Sequence, residues 1–214
     1  SMDLFEVTIK GQGTHGAFPH TGVDPLVVGA QLLTAWQTIV SRNVNPQASA
    51  VISATTMTAG DSWNVIPETA TLRGSIRALS PDVRQHVEGR FHTLTQQLAS
   101  AFNATVTIDY RRAIPVTVNH AAQTALACDV AVDIVGEENI VSDAPAVMGS
   151  EDFAYMLAEK PGCYLWIGNS DAQEDEAVEK EEADKPKDTA LDLSLGKLAV
   201  QNPCMVHEPT YDFN

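Results

Sequence analysis

Asp3-Leu4-Phe5-Glu6-Val7-Thr8-Ile9-Lys10 alternates apolar and polar side chains, the pattern of a strand buried on one face only. Downstream, Asp24-Pro25 supplies an N-cap and a proline at the first helical position. Val28, Leu32, Trp36 and Ile39 then recur at helical spacing, and the pattern fades after Ser41-Arg42. Two strand-like stretches follow, Ser49–Thr58 and Thr69–Leu79, joined by the turn-rich Gly60-Asp61-Ser62-Trp63-Asn64-Val65-Ile66-Pro67. Val83, Val87, Phe91, Leu94, Leu98 and Phe102 mark one face of a second helix, and Thr105–Tyr110 reads as a fourth strand. The order β-α-β-β-α-β predicts a ferredoxin-like, two-layer α/β (α+β) domain over residues 3–115: one antiparallel sheet with two helices on one face.

Residues 116–214 read differently. Ala121–Val135 is expected to be helical, Asn139–Ser142 a short strand, Ser150–Glu159 a short helix and Cys163–Gly168 a buried strand. Asp171–Asp188 carries nine acidic and three basic residues and almost nothing apolar, so it is expected to be a solvated insert. Two strands are too few to close a sheet. Residues 116–214 are therefore expected to be part of an α/β layer whose remainder lies elsewhere.

Bulk properties narrow the function. A net charge of -15 over 214 residues argues against nucleic acid and anionic membrane surfaces, both of which need a basic face. No apolar run approaches the roughly 18 residues of a membrane helix. Cys128, Cys163 and Cys204 are odd in number and widely spaced, which points to a reducing compartment and a cytoplasmic location. Ser1-Met2 reads as a tag-cleavage scar.

The chemistry-bearing candidates each have a plain alternative. His15 and His20 lie five residues apart in the glycine-rich loop Gly11–Pro25, where they could be metal ligands, proton donors or ordinary loop residues. Asn64 is a turn asparagine or an amide for a substrate carboxylate or carbonyl. Arg77, on a strand beside Gly74, is a solvated arginine or a planar fork for a carboxylate. Ser150-Glu151-Asp152 reads as an N-cap with acidic first-turn residues, or as part of a site. His207 reads as a surface tail residue. No serine or cysteine nucleophile signature, P-loop or dinucleotide fingerprint is present.

Taken in order, six blocks resemble the zinc-type amidohydrolases of the aminoacylase and glutamate-carboxypeptidase superfamily, in its hippurate hydrolase and auxin-conjugate hydrolase branch. They are Gly11-Gln12-Gly13-Thr14-His15-Gly16-Ala17-Phe18-Pro19-His20 with Asp24-Pro25; Ser41-Arg42 with Pro46; Asn64-Val65-Ile66-Pro67; Gly74-Ser75-Ile76-Arg77; Met148-Gly149-Ser150-Glu151-Asp152-Phe153; and His207 with Tyr211-Asp212-Phe213-Asn214. The resemblance implies a catalytic domain interrupted by a ferredoxin-like lid that also dimerises. Residues 3–115 match the lid, and 116–214 match the C-terminal return into the catalytic domain. By position, His207 resembles the last ligand of a divalent metal pair (zinc, or manganese or cobalt). His15 resembles the lid histidine that crosses the dimer to stabilise the tetrahedral intermediate. Asn64 and Arg77 resemble the lid residues that hold the substrate's carbonyl and carboxylate.

Three departures accompany the match. The remaining metal ligands and the general-base glutamate precede the lid in the family, and no counterpart stands in this sequence. Gly16 replaces the usual alanine, and the acidic insert lengthens the interval between Gly168 and His207. The implied reaction is metal-dependent hydrolysis of an N-acyl amino acid such as hippurate, with this chain a fragment inactive by itself and a homodimer through its lid. The alternative is a non-catalytic dimerisation or ligand-binding module from the same family. An unrelated regulatory ferredoxin-like domain is the third option.

Overall fold

A computed structural model describes residues 1–142 and 144–167. Among them, Ser1–Tyr164 form one compact unit. In chain order the elements are β1 (Met2–Lys10), β2 (Thr14–His15), α1 (Pro25–Thr38), β3 (Ala50–Ala59), β4 (Val65–Ile66), β5 (Thr69–Ala78), α2 (Pro81–Ala101), β6 (Thr105–Ile114), α3 (Ala121–Val135) and α4 (Phe153–Glu159). The main sheet is antiparallel in the order β3-β5-β1-β6. That is the ferredoxin-like order expected from the alternating elements. The pairing β2–β4, a short second ribbon, is an addition.

The alternation in β1 puts Phe5, Val7 and Ile9 into the core. They meet Val28, Leu32, Trp36 and Ile39 of the first helical stretch and Val87 and Phe91 of α2. Phe5, Trp36 and Phe91 form a mutual cluster with ring centroids 4.9–5.3 Å apart. Burying three such rings supplies a large share of the apolar area that holds helices to sheet. The polar atoms brought inside are paired. Trp36 Nε1–H donates to Thr95 Oγ1 at 2.9 Å, and that hydroxyl donates to the Phe91 carbonyl at 2.6 Å. Buried Asp3 accepts from Arg84 Nε at 2.9 Å and from the Tyr110 hydroxyl at 2.7 Å.

Helix starts follow the sequence signals. The Asp24 carboxylate accepts from the Leu26 N–H at 2.8 Å, with Pro25 next in line, and Ser80 Oγ accepts from the Val83 N–H at 3.2 Å ahead of Pro81. α1 runs into a wider turn at Ile39–Asn43, closed by the Val44 N–H on the Ile39 carbonyl. The fourth strand extends to Ile114, beyond the expected Tyr110. Phe102 lies past the end of α2 and is exposed; Thr95 and Ala99 take the inward positions instead.

Beyond Ile114 the character changes. α3 spans the expected Ala121–Val135 but buries no residue, with Leu126, Val130 and Ile134 exposed by 64%, 50% and 76%. The short strand expected at Asn139–Ser142 is not formed: Glu137–Asn139 is a single 3-10 turn and residues 140–142 are irregular. Apolar Ile140-Val141 mimicked a strand, but among the described residues no neighbouring strand offers its backbone a ladder. The expected helix at Ser150–Glu159 begins at Phe153. The expected buried strand at Cys163–Gly168 is also absent in its described part, where residues 163–167 are irregular and Leu165, Trp166 and Ile167 are exposed. Gly168, the acidic insert, Cys204 and His207 lie outside the described residues. Cys128 and Cys163 carry free thiols.

Candidate functional site

The β1–β5 ladder does not stop where the sheet stops. Lys10 pairs with Thr69, the Gly11 N–H donates to the Glu68 carbonyl at 2.9 Å, and the two chains then pair again as Thr14–Ile66 and His15–Val65. The Gly16 N–H donates to the Asn64 carbonyl at 2.7 Å. His15 and Asn64 thus sit at the tip of a two-stranded arm projecting from one end of the sheet. Residues directly opposite in such a pair share a face, so His15 and Val65 stand side by side.

The glycine-rich loop folds back to brace this arm. Gln12 and Val23 exchange both backbone bonds, at 2.9 and 3.0 Å. A Cβ at Gly11 would lie 2.2 Å from the Val23 carbonyl oxygen, and one at Gly22 2.5 Å from that of Gln12. Only glycine permits so close a backbone approach. Thr14 and Thr21 hydroxyls meet at 2.7 Å, and Thr21 also donates to the Phe18 carbonyl at 2.8 Å. At Gly16 a Cβ would stand 3.2 Å from the Asn64 backbone oxygen, a tight contact.

His15 has a defined tautomer. The Ala17 N–H donates to its Nδ1 at 3.1 Å, so Nδ1 offers its lone pair and the ring proton resides on Nε2. The exposed ring therefore presents an N–H donor to whatever approaches the tip. Asn64 Oδ1 accepts from Ser62 Oγ at 3.0 Å, which leaves the amide nitrogen as the free donor end. His20 packs edge-on to Phe18 at 6.4 Å, and Phe18 in turn stacks near His15 at 5.8 Å. Among the described residues no group of three or more histidine, cysteine, aspartate or glutamate side chains is placed to hold a metal ion, so the ligand reading of His15 and His20 finds no partners there.

Arg77 belongs to the other end of the sheet. It pairs with Met2, at the far end of the β1–β5 ladder from Lys10 and thirteen residues from His15, a span of at most about 40 Å at roughly 3.3 Å per residue. It is half-buried rather than solvated: Nη1 donates to the Met148 carbonyl at 2.9 Å and to Ser150 Oγ at 3.4 Å, and Nη2 lies 3.5 Å from Met2 Sδ. Ser150 is thus engaged with Arg77 and does not cap α4, whose N-cap, Asp152, makes no side-chain capping bond. Glu151 accepts from the Asp152 N–H at 3.0 Å and from the Tyr164 hydroxyl at 3.2 Å. The structure therefore unites His15 with Asn64, and Arg77 with the 148–150 segment, but keeps the two groups apart. His207 lies outside the described residues. Sequence reasoning missed the arm itself and Trp63, the fully exposed neighbour of Asn64. A tryptophan inside a turn between two strands was the available signal.

Comparisons with known proteins converge. The profile of peptidase family M20/M25/M40 matches residues 6–191. The N-acetyl-L-cysteine deacetylase of Bacillus subtilis is 39% identical over 168 residues, covering 78% of this chain and 40% of that protein. The hippurate hydrolase of Campylobacter jejuni is 34% identical over 169 residues, covering 79% and 44%. The chain thus spans less than half the length of these relatives. A Bacillus subtilis structure described as a dinuclear metal binding peptidase of the M20 family matches with a TM-score of 0.58 at 27% identity, over 76% of this chain and 39% of that one. No helix among the described residues is long and apolar enough to cross a membrane. With its family-ordered blocks, its ferredoxin-like sheet and a profile match over most of its length, this chain belongs to peptidase family M20/M25/M40.

Proposed function

We propose that these residues serve the hydrolysis of the amide bond of N-acyl amino acids, hippurate-like compounds among them, as the lid-bearing part of a cytoplasmic metal-dependent amidohydrolase. The observation that carries this reading is the His15 Nε2–H, fixed as a donor by the Ala17 N–H and held at the tip of the arm beside Asn64. When water adds to an amide carbonyl, its oxygen becomes an oxyanion, and a preorganised donor there lowers the barrier. Asn64 offers a second donor to a carbonyl, and the Arg77 fork suits the substrate's carboxylate. The divalent metal pair implied by the resemblance does not fit the described residues. These residues supply donors and positioning, and His207, outside them, is the candidate ligand of this chain.

Arg77 stays with its own chain's 148–150 segment while His15 projects from the far end of the sheet. A site that uses both therefore draws on two copies, which supports a homodimer through the lid. The alternative, a binding module without catalysis, is favoured by the self-contained core of residues 2–114.

Two linked measurements test the proposal in the metal-loaded natural protein that carries these residues. His15→Ala is expected to lower kcat for N-benzoylglycine about a hundredfold or more with KM little changed, since the donor acts on the transition state. Mixing His15→Ala with Arg77→Ala chains is expected to restore about a quarter of wild-type activity, because half the dimers then hold one intact site. Saturable binding of N-benzoylglycine without turnover by that protein would favour the binding module. An undiminished kcat in His15→Ala would remove the role given to His15.

A further inference from the structure

The tip of the arm is more apolar than its polar pair requires. Trp63 is fully exposed, and Phe18 and Val65 are each about half exposed. All three belong to the tip that carries His15: Val65 is its cross-strand partner, Phe18 lies tilted beside its ring at 5.8 Å, and Trp63 precedes the Asn64 whose carbonyl holds Gly16. Tryptophan side chains are highly buried on average, and exposing one beside two other apolar side chains is unfavourable in water. Val65 is held by its β4 pairing with His15, Asn64 by its carbonyl on the Gly16 N–H at 2.7 Å, and Phe18 by its N–H on the His15 carbonyl at 2.8 Å; Trp63 stands in the turn that leads into Asn64. A few polar donors set within an apolar rim is the composition of a small-molecule site.

On the amidohydrolase reading above, we propose that Trp63, with Phe18 and Val65, forms a lid-borne rim that contacts the acyl group of the substrate. It selects bulky apolar acyl groups, aroyl above all, over acetyl. His15 meets the carbonyl oxygen, so the group bonded to that carbonyl carbon lies within a few ångströms of the imidazole and against its neighbours. An aromatic acyl group buries its face on Trp63 and covers the rim; an acetyl group leaves the rim wet. Trp63 is a specificity residue in this account, and the donor chemistry remains with His15 and Asn64.

The test compares kcat/KM for N-benzoylglycine and N-acetylglycine in the metal-loaded natural protein, as wild type, Trp63→Ala and Trp63→Phe. Trp63→Ala is expected to lower the benzoyl-to-acetyl ratio roughly tenfold, the scale on which an apolar pocket discriminates, and Trp63→Phe to keep most of it. Subtracting the Trp63→Phe emission spectrum isolates Trp63, whose fluorescence is expected to shift to the blue with N-benzoylglycine and not with N-acetylglycine. An unchanged ratio in an active Trp63→Ala enzyme overturns the rim and leaves the amidohydrolase reading standing. An unchanged ratio with weakened dimerisation also overturns it, and assigns Trp63 to the partner's surface. No amide hydrolysis by the wild-type protein overturns both.

Discussion

Residues 115–164 carry a larger share of apolar side chains than residues 2–114, yet bury far fewer of them. In the first region Phe5, Trp36, Phe91 and the aliphatic residues around them are buried, and polar intruders such as Asp3 and Thr95 are fully paired. In the second, α3 buries nothing, and Ala154 and Leu157 of α4 are the buried apolar residues among those described. A helix with an apolar stripe and no facing layer lacks the packing from which most helical stability comes. The first region therefore stands on its own core, while the second needs further structure against α3, consistent with a chain that spans less than half of its relatives' length.

The largest effect that sharpens this contrast is expected at the aromatic cluster. Phe91→Ala should cost about 3–5 kcal/mol in denaturant unfolding, a large part of a typical domain's total stability. Ile134→Ala on α3 should stay within about 0.5 kcal/mol in the same chain. Equal losses at the two sites would break the contrast. A smaller effect is expected at Tyr110. Burial, and then its hydrogen bond to the Asp3 carboxylate, hold the Tyr110 hydroxyl well above the usual tyrosine pKa. The unfolded chain releases this proton near pH 10 and the folded one does so only at higher pH. The stabilisation is thus fully present below about pH 10 and is lost as pH rises beyond it. Stability measured across that range should fall less steeply in Tyr110→Phe than in wild type; identical slopes would remove the coupling.

What the sequence made legible follows the same division. In residues 2–114 each local signal had a partner to agree with: alternation in β1 faced helices whose apolar spacing matched it, and Asp24-Pro25 marked a helix start that formed as expected. His15 and Asn64 were visible as residues, but not their union. A two-residue pairing fifty residues apart has no periodicity of its own, and it arises only because the β1–β5 ladder continues. The bond of Arg77 to the Met148 carbonyl had no signal in the sequence, because it depends on tertiary placement. Ile140-Val141 and Cys163–Ile167 failed as strands for a related reason. Apolar runs state a preference for burial, and these have no strand beside them among the described residues.

Native-state hydrogen exchange on the intact chain tests the central claim most directly, because it reads both regions at once. Amides of β1, β5 and α2 are expected to exchange only through global unfolding. Those of α3 and α4 are expected to exchange faster by about two orders of magnitude or more, through local opening. Protection in α3 equal to that of β5 would contradict the account, for it would show that residues 115–164 share the stability of residues 2–114 without further structure to cover them.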